Sequence, residues 1–375
     1  MMKSVALDLR ETADLPEAVT PTAKQPRITL SGVPDDRAML RAAAEMTRDL
    51  QKPKPWIYWT DCFISAAVGY AALIGAILAP SLGWGLLAGL VSVLALYRAT
   101  LFIHEITHLK HSLLPGFRVA WNVLVGFPMM LPSFMYEGIH AIHHSRTRYG
   151  TAEDPEYLPL AHMKPHTLPV FLLVSVLMPV GLLLRFGILA PLSMLSPKLR
   201  RVLVAKYSGL QINPSYERRA PEGEFRRQWA WQEAGTSVWA IGVILAVATG
   251  LMPLHAFAIY MGVISAVAVI NQVRTLVAHL WENEGEPLTV TAQFLDSVNV
   301  PPPSVLPYLW APVGLRYHAL HHLLPSLPYH ALGEAHRRLT AALEGESAYH
   351  RANYPHLPGL VGRLAASTMG GARRG

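Results

Sequence analysis

Stretches of about 20 apolar residues can each cross a bilayer as a helix, and this chain has several. Residues 57–79 and 82–103 form one apolar pair, joined at "PSLG". Residues 234–252 and 254–274 form a second pair, joined at "MPLH". The composition agrees: 51% of the 375 residues are hydrophobic and 15% are charged, against about 25% charged in an ordinary soluble protein. The expected fold class is an all-α integral membrane protein with four transmembrane helices in two hairpins.

Charge assigns the sides. Neither turn carries Lys, Arg, Asp or Glu. Lys52 and Lys54 precede the first span, and a run from Lys198 through Arg200, Arg201, Lys206, Arg218, Arg219, Arg226 and Arg227 precedes the third. Positive residues stay in the cytoplasm, so both turns are expected outside and everything else inside, both termini included. Residues 119–135 are short and broken by Pro128 and Pro132. Residues 168–195 are long enough to cross but contain Pro179, Gly181 and Arg185. If 168–195 crossed, the basic run would lie outside, so both segments are expected to be interfacial or re-entrant helices. Residues 1–55, with Pro16, Pro21, Pro26 and Pro34 and no apolar core, are expected to form a partly disordered cytoplasmic arm. A membrane domain over 56–345 and a C-terminal tail over 346–375 follow. The net charge of +7 fits a basic cytoplasmic surface and not a nucleic-acid partner. The single cysteine, Cys62, excludes an internal disulfide or a cysteine-ligated cluster of the chain's own.

The 17 histidines cluster. "HEITH" places His104 and His108 four apart at the end of the second span, on one helix face. "HAIHH" adds His140, His143 and His144, and "HALHH" adds His318, His321 and His322. Offsets of three and four put each trio over a single helical turn. "LVAHLWEN" contributes His279 just beyond the fourth span. One zinc takes three or four protein ligands, so nine imidazoles suit two metals with open positions. Imidazole serves Zn, Cu, Fe and Ni alike and does not name the metal. His111 extends the face of His104 and His108 as an alternate ligand, with a surface role preferred.

H-E-x-x-H is also the zinc-peptidase pattern, in which the glutamate acts as base. An intramembrane zinc peptidase needs a third ligand, and the spans offer only Asp61, near the edge of the first, while "LDS" at 295–297 lies outside any span. Glu105 is therefore expected to orient a ligand histidine or to be a solvated helix residue. A non-enzymatic membrane protein that stores or senses metal is the remaining alternative.

Taken together, "HEITH", "HAIHH" and "HALHH" resemble the three histidine boxes of the membrane fatty acid desaturase family, which includes alkyl hydroxylases and carotenoid ketolases. The flanks "SRTRYGTAEDPEYLPL" and "APVGLRYHALHHLLPSLPYH" resemble bacterial desaturases. The resemblance implies a four-span fold with a cytoplasmic cap holding two Fe ions, and O2 as co-substrate. Its ligands fall on His104, His108, His140, His143, His144, His318, His321 and His322, with His279 matching an additional histidine of the animal acyl-CoA branch. That branch carries an asparagine four residues earlier, where this chain has Thr275; Asn271 and Asn283 are unaligned substitutes.

The resemblance further implies O2-dependent desaturation of a fatty acyl chain (acyl lipid or acyl thioester) in a bacterial inner membrane. Hydroxylation or ketolation of a lipid or alkyl substrate is the alternative. No haem, flavin or ferredoxin motif is visible, so an external electron donor, ferredoxin-like or similar, is expected. Asp154 and Glu156 could hold ligand histidines through the second ring nitrogen, or simply form a charged loop around Pro155. Arg274 and Arg316 could bind a substrate phosphate or carboxylate, with snorkelling to the interface favoured for Arg274. Tyr317 could line the site or pack.

Overall fold

The computed structural model describes residues 30–164 and 166–371. Among them the fold is helical, and the only strand-like features are isolated bridges such as His279 with Ser297 and Asn299 with Tyr317. In chain order, the helices that position the site begin with α1 (Arg37–Met46), α2 (Pro55–Ile77) and α3 (Leu82–His108), followed by the short α4 (His140–His143). Next come α5 (Thr167–Ser193), α6 (Gly223–Ala248) and α7 (Leu254–Leu276). The last three are α8 (His318–Leu323), α9 (Leu332–Ala342) and α10 (Leu357–Gly371).

Local chemistry explains the boundaries. Pro55 opens α2, where a missing N–H costs nothing, and Asp36 caps α1 by accepting from Met39 N at 2.9 Å. Gly69 lets α2 and α3 close on each other, since a Cβ there would sit 2.6 Å from Leu96 Cγ. Outward-facing residues such as Leu78, Leu86, Val238 and Leu254 are large, apolar and exposed, as a lipid-facing surface requires.

Among the described residues, four helices are long and apolar enough to cross a membrane: α2, α3, α5 and α7. Three match expected spans; the fourth does not. Residues 168–195, expected to be interfacial or re-entrant, form one continuous helix of 27 residues, with 17% of its apolar stretch buried, the least of the four. The expected third span, 234–252, falls largely in α6, whose first half carries Glu224, Arg226, Arg227 and Glu233. Arg185, anomalous in an apolar helix, lies in a π-helical turn of α5. It donates to Glu233 Oε1 at 2.6 Å and to Tyr207 O at 2.9 Å, the pairing that a buried charge demands. One residue explains the other.

Hydropathy alone does not place α5, but its flanks do. On its N-terminal side, Ala161 N donates to Trp281 O and His162 lies 3.2 Å from Glu282 O. On its C-terminal side, Leu210 N donates to Met135 O, Ile212 N to Pro155 O, and Asn213 Nδ2 to Asp154 O at 3.0 Å. Both flanks thus return to the segments that carry the histidines.

Two cores result. One joins α2, α3, α6 and α7 around Tyr58, Leu96, Trp121 and Val263; the other fills a cap around Tyr157, Trp281, Phe294, Leu320 and Tyr349. Of the expected arm, residues 1–29 lie outside the described residues, whereas α1 packs into the cap through buried Met39 and Ala43. Arg338 of α9 donates to Met46 O at 2.9 Å, and Asp36 N donates to Thr291 Oγ1 at 2.8 Å. The tail contributes α10, with Leu360 and Leu364 buried.

Accessibility tags should therefore label Gly150 and Gly223 from one side of the membrane, and Gly83 and Gly250 from the other. A tag at Gly223 that labels with Gly83 would show that α5 carries the chain across.

Candidate metal centre

All nine histidines converge, in two groups. His104, His108, His140, His144 and His321 form one, and His143, His279, His318 and His322 form the other, with the ligand atoms of each within 4.8 Å of one another. The local sequence sets this division. In 140–144 the first and third histidines enter the five-membered group and the middle one enters the other. In 318–322 the allocation is reversed, with His321 alone in the five-membered group. Each trio therefore bridges both groups, while His104 and His108 at the end of α3 complete one and His279 beyond α7 completes the other.

The imidazoles are oriented from behind. His140 Nδ1 lies 2.9 Å from Glu156 Oε1 and 2.8 Å from Tyr136 Oη. His143 Nδ1 lies 2.9 Å from Asp154 Oδ2. His279 Nδ1 lies 2.9 Å from Tyr149 Oη, which itself donates to Asp296 Oδ2 at 2.8 Å. Each of these acceptors places the proton on Nδ1 and leaves a lone pair on Nε2. Those bare nitrogens then face one another, with His143 Nε2 at 3.3 Å from His279 Nε2. His318 Nε2 stands 3.0 Å from His279 Nε2, and His144 Nε2 stands 3.0 Å from His140 Nε2 and 3.1 Å from His321 Nε2. Both nitrogens of His104 and Nε2 of His108 are buried without a hydrogen-bond partner. With Nδ1 of both His143 and His279 protonated, their opposed Nε2 lone pairs repel in this buried site unless a cation lies between them. The donor set fits metal ions.

Burial also holds His140, His144, His279, His318, His321 and His322 well below the usual imidazole range, reinforced by their neighbouring imidazoles. They are neutral at physiological pH, the form that binds metal.

The other sequence candidates take definite places. Asp154 and Glu156 stand behind His143 and His140. Asp154 is itself fixed, accepting from Gly150 N at 2.8 Å and Glu156 N at 2.9 Å. Glu105 does not orient a histidine: its closest approach is 3.6 Å, to His104 Nδ1. It is buried and accepts from Tyr58 Oη at 2.6 Å and Tyr329 N at 3.2 Å, tying α2 and the loop before α9 to the end of α3. His111 is exposed and belongs to neither group. Arg316 donates to Val300 O and Ser304 O, stapling a loop, and Arg274 donates to Thr275 Oγ1 at 2.9 Å. Asn271 accepts from Arg274, and Asn283 bonds Gly150 O and Glu286 O. Tyr317 packs on His336, with ring centroids 5.1 Å apart.

Sequence reasoning missed Tyr149, Tyr157 and Asp296. Tyr157 Oη also donates to Asp296, at 2.7 Å, so one buried carboxylate holds two tyrosines beside His279. Asp296 sits in the "LDS" segment, but nothing in its local pattern announces a partner 147 residues away.

Comparison with known proteins agrees with this geometry. The family model described as fatty acid desaturase matches residues 79–354. A ceramide hydroxylase of Caulobacter vibrioides (strain NA1000 / CB15N) is 50% identical over 329 residues, covering 88% of this chain and 93% of that protein. No solved structure matches this chain.

Two substitutions separate the carboxylates. Asp154→Asn should cut metal content or activity by about 10–100-fold, the usual cost of losing a histidine's hydrogen-bond acceptor. Glu105→Gln should leave metal content near the wild-type value, measured by elemental analysis of purified protein. Normal loading in Asp154→Asn, or a metal-free Glu105→Gln, would contradict these placements.

Proposed function

Because the chain belongs to the fatty acid desaturase family, we propose that it hydroxylates a ceramide-like lipid at a di-iron centre held by the nine histidines. It is an integral membrane oxidoreductase acting on lipids. The observation that carries hydroxylation over desaturation is the 50% identity, over nearly the whole of both chains, to a ceramide hydroxylase. The two histidine groups support a pair of metal ions, five nitrogens for one and four for the other. Two bound irons would supply the activation of dioxygen and the oxidation of an unactivated C–H bond.

The chain's own contribution is positioning. Asp154, Glu156 and the Tyr149–Asp296 pair hold protons on the Nδ1 atoms of His143, His140 and His279, leaving their Nε2 lone pairs free to hold metal ions. Burial of seven of the nine rings to less than a tenth exposure, with His108 and His144 half-buried, keeps bulk water from the reacting position. Hydroxylation takes one dioxygen, two protons and two external electrons, places one oxygen on carbon and releases the other as water. Those electrons come from a separate ferredoxin-like donor docking on the basic surface. The histidine face is cytoplasmic, in keeping with the basic run at 198–227, in a bacterial inner membrane.

Desaturation of an acyl chain is the second reading, favoured by the description of the family. It consumes the same dioxygen, protons and electrons but removes hydrogens from adjacent carbons and releases both oxygens as water. Choosing between the outcomes depends on how the chain of the lipid is held, not on the histidines.

Lipid mass spectrometry of cells expressing this protein should show ceramides that gain one oxygen atom, a product absent with His321→Ala. Loss of two hydrogens without added oxygen would establish desaturation instead. An unchanged lipid profile, with reductant and metal supplied, would contradict both.

A further inference from the structure

A second site lies away from the histidines. A cavity of about 1040 Å³ opens between the end of α5, the short helix Pro197–Lys206 and the first half of α6. Ligand pockets commonly measure about 300–1,000 Å³. No histidine lines it. We propose that this cavity binds one anionic lipid by its phosphate headgroup.

Charge is the first argument. Arg200, Arg201, Arg218 and Arg226 line the cavity, against one carboxylate, Glu233. Glu233 is already held by Arg185 at 2.6 Å and Arg200 at 2.7 Å. Among the described residues, no carboxylate forms an ion pair with Arg201, Arg218 or Arg226. Arg218 is the decisive one, because it is 7% exposed and a buried charge needs neutralising. It donates to the carbonyls of Ser208 and Glu137 and lies over the Trp229 ring at 4.5 Å, all of them neutral partners. The Glu137 carboxylate pairs instead with Arg118 at 3.0 Å. Burial pushes the Arg218 guanidinium down to about 10, against the opposing pull of Tyr216 and Glu137.

Unused donors are the second argument. Trp229 Nε1 and Ser237 Oγ belong to residues 1% and 9% exposed that line the cavity, and neither has a hydrogen-bond partner. A phosphate offers several acceptor oxygens to such groups. The surroundings turn a phosphate site into a lipid site. Leu192, Met194, Leu195 and Val238, beside the cavity wall, are 48%, 76%, 83% and 72% exposed, a surface for acyl tails.

The proposal does not depend on the reaction at the histidines, and its test reads binding alone. Purified protein in neutral detergent is titrated with dioleoylphosphatidylglycerol, dioleoylphosphatidylcholine or inorganic phosphate, and bound lipid is counted by native mass spectrometry. The expected result is one phosphatidylglycerol per chain, bound about 10-fold or more in preference to phosphatidylcholine. Arg201→Gln with Arg226→Gln, both exposed and unpaired, should abolish that preference while metal content is unchanged. Lys198→Gln with Arg219→Gln, outside the cavity, should retain it. Equal binding of the two lipids would overturn the proposal, as would equal losses in the two double variants, which would indicate diffuse surface attraction. Displacement of the lipid by inorganic phosphate at equal concentration would assign the cavity to a soluble anion.

Discussion

Opposed lone pairs hold the key to this structure. Imidazole Nε2 atoms stand 3.0 to 3.3 Å apart across both groups, with Nδ1 protons pinned behind them by Glu156, Asp154 and Tyr149. Without cations such an arrangement is repulsive, and burial removes the water that could relieve it. These carboxylates and tyrosines keep His140, His143 and His279 turned so that a metal ion becomes the favourable partner.

The membrane helices make that arrangement possible. α3 delivers His104 and His108, and α7 delivers His279 just past its end, while the cap core supplies α4 and α8. Close approach at Gly69 and the Arg185–Glu233 pair fix the helices beneath the cap. Their outward faces are left apolar, as a lipid-facing surface requires. The lipid site proposed at Arg218 would add a second contact with the bilayer, away from the histidines.

Much of this was legible in sequence because its signals are local. Offsets of three and four in "HAIHH" and "HALHH" require a shared helical turn, and the apolar runs around 57–103 and 254–274 are long enough to cross. What local pattern did not carry was how each trio is divided, since that depends on α4 and α8 facing each other across two centres. Residues 168–195, expected to be interfacial or re-entrant although long and apolar enough to cross, show the same limit of local pattern. Hydropathy reports that a helix can cross, whereas the hydrogen bonds of 161–162 and 210–213 report where its ends are held. Asp296 escaped notice because its partners, Tyr149 and Tyr157, come from a distant loop. Glu105 looked like a ligand-orienting group by its place in "HEITH", yet it bonds Tyr58 and Tyr329 N and comes no closer than 3.6 Å to a ring nitrogen.

The most direct test counts metal in protein purified without chelators, for the wild type and for one variant in each histidine group. The wild type should hold two iron atoms per chain. His108→Ala, confined to the five-histidine group, and His279→Ala, confined to the four-histidine group, should each hold about one. A wild type that holds a single metal ion, or two variants that both keep two, would contradict a centre built from two separate groups of imidazoles.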